Sequence, residues 1–389
     1  MKRGKIMDSV GIIAEYNPFH NGHLYQLKKV KEMFPNMPVV LVLAGNFTQR
    51  GDVSIIDKWK KTDIAIKAGI DLVIELPFSF STQSADFFSY GAITILEKLK
   101  VKYLVFGTES DELSDIELLV DTQLNNKDFS SLVKIYSKLG NNYPTSMSLA
   151  LKDLTGKSIK TPNDLLAISY IKTIRKNNYN IKPICIKRTN DYHDETLDKN
   201  ISSATSIRIA LKNNIDIKGQ VPEFVIPYLN DLHFIDDYFE LLKYKIITDD
   251  NLSNYQGVDE GLENILKKEI MEANNFDELV KRIKSKRYTY NNISRMLIHI
   301  LCNLKKCDMN EFNTVKYIRL LGFNDIGKRY LNKIKKDIDI PIISKISREK
   351  DRMLEFEIQT TKIYALTDNN SSKLLEKEFK NRLLKGENI

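Results

Sequence analysis

The stretch whose reading decides the fold is "GIIAEYNPFHNGHL", residues 11–24. It begins as a buried strand does, with Val10, Gly11, Ile12, Ile13 and Ala14 in a row. It breaks at Asn17-Pro18 and then places His20 and His23 on either side of Asn21-Gly22. Leu24, Leu27, Lys28 and Lys31 follow at helical spacing, so the pair opens a helix. The chain has five histidines. Two of them within one turn, directly after the first strand, call for a chemical reason.

Phosphate supplies one. A helix N-terminus presents unsatisfied N–H groups and the positive end of a dipole, both suited to an anion. Gly22 lets that anion approach the backbone. Imidazoles at i and i+3 share a side of the chain and can donate to phosphate oxygens. In nucleotidyl transfer, charge builds on the α-phosphate and the departing pyrophosphate, and fixed donors aimed there lower the barrier. A zinc pair would need a third ligand, and no neighbouring Cys or His cluster offers one, so no metal site is expected. Two histidines satisfied within a core are the plainer alternative.

Working outward, short apolar runs recur at residues 10–15, 38–46, 71–78, 103–110 and 181–188. Several are apolar at consecutive positions, as strands covered on both faces are. Between them, residues 21–33, 57–68 and 84–98 have helical spacing. Strand–helix alternation implies βαβ units, a parallel sheet and an α/β, Rossmann-like fold. Ligands of such sheets bind beyond the strands' carboxyl ends. "EYNPFHNGH", "AGNFTQRGD" and "FGTESD" all follow predicted strands and should converge on one crevice. From about Phe234 helical periods take over, at 260–273, 276–285, 293–306, 314–321 and 326–336. A nucleotide-binding domain over 8–220 and a mainly helical, basic domain over 221–389 are expected, divided somewhere within 212–234.

The bulk properties set bounds. The 389 residues suffice for two or three domains. Lys+Arg minus Asp+Glu is 59 − 51 = +8, a balance that attracts polyanions. No apolar run approaches the ~20 residues of a membrane span. The basic start, Met1 to Asp8, lacks the pattern of a secretory signal, so a cytoplasmic protein is expected. Cys185, Cys302 and Cys307 have no metal-site spacing and read as reduced thiols.

"HNGH" has the HxGH form. "VGIIAEYNPFHNGHLYQL", "GNFTQRGD", "FGTES", "TPNDLLAISY" and "SATSIR", in this order, resemble the HxGH nucleotidyltransferases and, more closely, the bacterial tRNA(Met) cytidine acetate ligases. The resemblance spans nearly the whole chain. It implies activation of acetate by ATP to acetyl-adenylate, then transfer of the acetyl group to N4 of the wobble cytidine of elongator tRNA(Met). It makes His20 and His23 catalytic. It assigns ATP contacts to Ile13, Ala14, Glu15, Tyr16, Asn17, Pro18, Phe19, His20, Asn21, Gly22, His23, Leu24, Tyr25 and Gln26, and also to Gly107, Asn163 and Arg188. Ser203, Thr205 and Arg208 match the family's second signature, although "ISSATSIR" has one residue more than the ISSTxxR form of many members, which leaves its register open. Plainer readings stand beside these: Gly107 as a turn glycine, Asn163 as part of a helix start, Ser203 as a helix cap. Asn46, Gln49, Arg50 and Lys58 are expected in part to line the crevice, and His193 is a further candidate. Magnesium is expected with ATP, held largely by phosphates.

Lys281, Arg282, Lys284, Lys286 and Arg287 put five basic residues within seven, followed by "YTY" (288–290) and Arg295. Cations beside aromatics suit loop RNA. A solvated helix end is the alternative. The expected partners are elongator tRNA(Met) and acetate, with no membrane and no DNA; the oligomeric state is open. The residues also leave room for a small-molecule adenylyltransferase, or for a non-catalytic RNA-binding protein on the same fold.

Overall fold

The computed structural model describes residues 7–109, 112–159, 161–187, 203–259, 261–346 and 351–380, together with the backbone of a short strand at 384–385. Five strands fall where the apolar runs lie: β1 (Val10–Ala14), β2 (Val39–Ala44), β3 (Leu72–Leu76), β4 (Tyr103–Thr108) and β5 (Lys182–Lys187). Three come from the C-terminal half: β6 (Ile318–Phe323), β7 (Ile342–Ile343) and β8 (Leu384–Lys385). The sheet order is β5-β4-β1-β2-β3-β6-β7, with β8 also paired to β6. Every pairing is parallel except β3 with β6. Every residue of β2, β3 and β6 is buried, so both faces of the sheet's middle are covered.

The helices of the first half match the spacing closely: Asn21–Met33, Lys58–Ala68 and Ala85–Lys98. Asp57 caps the second, accepting from the N–H groups of Trp59 (2.8 Å) and Lys60 (3.0 Å), and Gly69 ends it at φ +106°. The second half is mainly helical, including Leu262–Glu272, Phe276–Ile283 and Tyr290–Leu301. One expectation fails there. Residues 314–321 are not a helix; Ile318–Phe323 is β6. Its apolar residues stand at consecutive positions, a pattern that periodicity cannot assign to a helix or to a fully buried strand. The edge of β3 decides it. That edge needs a partner, and β6 supplies it with Glu75 opposite Arg319.

That register sits inside a buried ion network. Lys58 Nζ lies 2.6 Å from both Glu75 and Glu378, and Arg319 lies 3.2 Å from Glu378. Lys58 is 0% exposed and Arg319 2%. Burial pulls the Lys58 ammonium down, but Glu378, Glu75 and Glu357 outweigh it and hold it above its usual range. Burial, then Glu75, raises the Glu357 carboxyl well above its usual range. Two cations thus face the carboxyl groups of Glu75, Glu378 and Glu357, and burial and Glu75 oppose the ionisation of the last. Glu357 also accepts from the Phe78 N–H at 2.7 Å. The C-terminal helices Arg352–Tyr364 and Ser371–Lys380 are thus docked on the sheet through charge as well as packing. Among the described residues no helix is long and apolar enough to cross a membrane.

Candidate active site at the carboxyl ends of the sheet

The chain leaves β1 toward β2 on one side of the sheet, while β4 pairs with β1 on the other. Between them lies the switch point at which open α/β sheets bind ligands. A pocket of ≈ 200 Å³ occupies this place.

The turn after β1 builds its floor. Tyr16 is buried at φ +48°, with its ring edge-on to Phe19 (4.8 Å between centroids) and 4.8 Å from His23. The Asn17–Pro18 bond is cis. Asn17 clamps the turn to the next loop: its amide donates to Val53 O (3.1 Å) and its oxygen accepts from the Ile55 N–H (2.8 Å).

His20 then caps the helix. Its Nδ1 accepts from the Gly22 N–H at 3.0 Å, and its own N–H donates to His23 Nδ1 at 3.3 Å. The rings lie 3.8 Å apart at 34°. A ring nitrogen that accepts carries no hydrogen, so both neutral imidazoles hold their proton on Nε2 and act as donors from that atom. This revises the expectation from sequence. The Asn21 N–H bonds to Gln220 O (3.2 Å), Gly22 N–H to His20 Nδ1, and His23 N–H to His20 O (2.9 Å). These first amides of the helix are engaged, so the two rings are the donors here. The sequence misled because histidine is an uncommon cap, whereas Ser, Thr, Asp and Asn are the usual ones.

Of the expected ATP contacts, Ile13, Ala14, Glu15, Tyr16, Asn17, His20, His23, Gln26, Gly107, Asn163, Ser203, Thr205 and Arg208 line the pocket. Pro18, Phe19, Asn21, Gly22, Leu24 and Tyr25 do not line it. Phe19 turns into the core, Asn21 donates to Gly219 O (2.6 Å), and Tyr25 is exposed. Arg188 and His193 lie outside the described residues. Thr161, rather than Asn163, caps the helix Pro162–Lys176, while Asn163 donates to Glu109 at 2.6 Å. Ser203 caps the helix Ala204–Lys212, accepting from Ser206 N–H at 3.1 Å. Arg208 donates to Asn17 O (2.9 Å) and to Thr205 Oγ1 (3.3 Å), and lies 3.8 Å from Asp52. Burial raises the Asp52 carboxyl above its usual range, against the pull of Arg208.

Of the four residues expected from the second loop, Gln49 and Arg50 reach the pocket. Asn46 and Lys58 are buried elsewhere: Asn46 accepts from Lys58 N–H (2.9 Å), and Lys58 belongs to the ion network. Their alternation with apolar residues after β2 gave no sign of which way they face. Several lining residues escaped the sequence reading: Thr48, Asp52, Phe88, Phe106, Leu166 and Tyr170. Phe106 stands next to Gly107 and was within reach; Phe88 and Tyr170 sit on helices whose apolar stripes read as core.

Lys61 also escaped it. Fully buried, it donates to three carbonyls at the strand ends: Glu15 O (3.0 Å), Ala44 O (2.8 Å) and Gly45 O (2.6 Å). It fixes the ends of β1 and β2 from which both loops spring. Burial lowers its ammonium to about 7.

The basic segment divides. Lys281 pairs with Asp277 at 2.7 Å, and Arg282 with Glu278 (2.8 Å) and Glu269 (3.6 Å), all at the helix surface. Lys284, Lys286 and Arg287 follow the helix, and all three are exposed. Arg287 and Arg295 line a cleft of ≈ 1070 Å³ with Lys138, Tyr143 and Tyr288. Arg295 donates to Gln49 O at 3.3 Å, which joins this cleft to the wall of the smaller pocket. Burial lowers the Arg295 guanidinium to about 10.

A pocket lined by aromatic and aliphatic side chains together with imidazoles and guanidinia suits a planar, phosphorylated ligand. The comparisons agree in kind. The model of the HIGH Nucleotidyl Transferase family matches residues 7–378. A tRNA(Met) cytidine acetate ligase of Caldicellulosiruptor saccharolyticus is 39% identical over 392 residues, 96% of this chain and 98% of that protein. One of Clostridium novyi is 38% identical, with 96% and 98% covered. The crystal structure of apo Thermotoga maritima TmcAL superposes with a TM-score of 0.91 at 26% identity, covering 98% of this chain and 100% of that one. The form bound with alpha-thio ATP gives 0.87 at 25%, with the same coverage.

Proposed function

We propose a reaction for a chain that belongs to the HIGH nucleotidyl transferases and, within them, to the tRNA(Met) cytidine acetate ligase family. It activates acetate with ATP and acetylates N4 of the wobble cytidine of elongator tRNA(Met). An acetate oxygen attacks the α-phosphorus, the bond to the bridging oxygen breaks, and pyrophosphate leaves. The cytosine N4 then attacks the acyl carbon, AMP leaves, and N4 loses a proton. That amine is a poor nucleophile because its lone pair is delocalised into the ring, so a mixed anhydride is the fitting donor. Both steps rest on positioning and charge stabilisation.

The observation that carries this reading is the His20–His23 pair, locked by mutual capping into Nε2–H donors beside Arg208 and Arg50. Phe88, Phe106, Leu166 and Tyr170 offer the apolar wall for the adenosine. Magnesium comes with ATP on its phosphate oxygens, and the carboxylates of Glu15 and Asp52, which line the same pocket, are the protein oxygens suited to it. The nucleotide chemistry belongs to residues 8–220 and most of the RNA contact to 221–389. The anticodon loop enters by the larger cleft, where Arg287 and Arg295 meet phosphates and Tyr143 and Tyr288 meet unstacked bases, with the exposed Lys284 and Lys286 in the segment leading to it. Lys281 and Arg282, already ion-paired, add less. The setting is the cytoplasm.

The test is incubation with ATP, magnesium, labelled acetate and total tRNA, then digestion to nucleosides. Label in N4-acetylcytidine that disappears without ATP is the expected result. If no label enters RNA while a phosphorylated metabolite becomes adenylylated, the site serves a small-molecule adenylyltransferase instead.

A further inference from the structure

A second polar cluster lies away from the pocket, where the loop after residue 229 meets the C-terminal segment. His233 is 2% exposed, and its ring lies against Tyr364, tilted by 33° with 4.3 Å between centroids. Its Nδ1 lies 3.1 Å from Tyr238 Oη and 3.0 Å from Thr367 Oγ1. Tyr238 donates its own hydrogen to Tyr364 O at 2.6 Å, so its oxygen is left to accept from His233. With its ring proton on Nδ1, donated to Tyr238, neutral His233 presents the Nε2 lone pair. That lone pair faces carboxylates: Nε2 is 3.4 Å from Asp368 Oδ2, and one ligand atom each of Asp231, His233 and Asp368 lies within 4.8 Å of the others. A lone pair and two carboxylates repel unless a cation sits among them.

We propose that Asp231, His233 and Asp368 bind a divalent transition-metal ion of the zinc type. One imidazole and two carboxylates make a mixed nitrogen and oxygen donor set that suits zinc better than magnesium or calcium, which favour oxygen alone. Each donor is oriented from behind, as metal ligands are: Tyr238 and Thr367 hold the His233 ring, the Asn369 amide donates to Asp231 Oδ1 at 2.8 Å, and the Asn370 N–H donates to Asp368 Oδ1 at 2.6 Å. Asp231 adopts φ +61°, a conformation that Asp tolerates better than most residues and that costs energy to hold. Asp231 and Asp368 also line a cleft of ≈ 360 Å³, which gives the ion a path and room for water as further ligands. The charges around it are mixed. Lys60 donates to Asn230 O (3.0 Å) and Lys377 approaches Asp57 (3.5 Å), so these cations are directed to other acceptors. Asp368 is far along the chain from Asp231 and His233, so the ion would tie the 229–234 loop to the connection between the last two helices.

Full-length protein stripped by chelator and titrated with zinc chloride by calorimetry tests this. One equivalent should bind in the low micromolar range or tighter, raise the melting temperature, and be lost in Asp368→Asn and Asp231→Asn. Cobalt(II) should give visible d–d bands that zinc displaces. The Asp variants keep His233 in place, so a folding failure of His233→Gln would not decide the matter. Zinc bound equally by Asp368→Asn would assign the ion to another site, such as His20–His23, and overturn the proposal. Absence of stoichiometric binding would overturn it too, as would nitrogen NMR showing a hydrogen on His233 Nε2 in metal-saturated protein; in either case the cluster is held by a proton.

Discussion

The histidine pair and the buried ion network are made in opposite ways. His20 and His23 lie three residues apart, cap each other through backbone N–H groups and face a pocket. Lys58, Glu75, Arg319, Glu357 and Glu378 come from five separate elements and are all closed to solvent. The first arrangement is made by local geometry, and its atoms are left in reach of a ligand. The second is made by tertiary packing, and its charges face one another out of reach of solvent, with Glu75 Oε2 and Arg319 Nε and Nη1 buried and without a hydrogen-bond partner. Strong electrostatics is thus no sign of a working site by itself; access and the direction of the donors separate the two.

That contrast can be broken in either region. The largest effect is expected from Glu378→Ala, which strands Arg319 in the core and removes one of the two carboxylates beside Lys58. Removing one partner of a buried pair costs ~3–5 kcal/mol, read as a fall in denaturant midpoint, while any folded fraction keeps its adenylation activity. His23→Ala should do the reverse. Loss of a donor to developing charge costs on the order of 10²–10³-fold in rate, measured as acetate-dependent ATP–pyrophosphate exchange, with tRNA affinity retained. Equal rates for variant and parent would remove His23 from the chemistry.

Lys61→Met lies between the two regions. It leaves three strand-end carbonyls without their donor, at ~1–3 kcal/mol for a buried polar group left unsatisfied, and should weaken ATP binding as the loops loosen. Its pH signature has a definite sign. The folded-state value near 7 is below the ordinary 10.5, so the unfolded chain binds the extra proton between them. The Lys61 contribution is full above about 10.5 and is lost as pH falls toward 7. Unfolding of parent and Lys61→Met followed across this range should differ by that slope; parallel curves would show Lys61 titrating normally. The smallest effect belongs to the cleft. Neutralising Lys286 and Arg287 should lower the slope of log affinity against log salt by ~0.7–0.9 for each phosphate that is no longer neutralised. Neutralising Lys281 and Arg282, already paired with acids, should change it less.

The sequence was most legible where structure is made by near neighbours. The five N-terminal strands and the helix Asn21–Met33 follow from runs and spacing, and His20 and His23 from one short motif; most of the pocket's other polar residues were implied by the family resemblance. It was least legible where a residue's surroundings come from far along the chain. "YIRLLGF" could be strand or helix until β3 claimed it. Lys58 and Lys61 are three residues apart in "DKWKK", yet one joins a core ion network and the other props the site. Asp231 and Asp368 gave no motif at all.

By itself, then, the sequence determined a parallel α/β sheet with a histidine pair opening the helix after its first strand, because periodicity depends on residues within about four positions. Only the tertiary structure decided which charges are buried and which are offered. Burial and distance in space set a charge's partner, and neither is written in the order of residues along the chain.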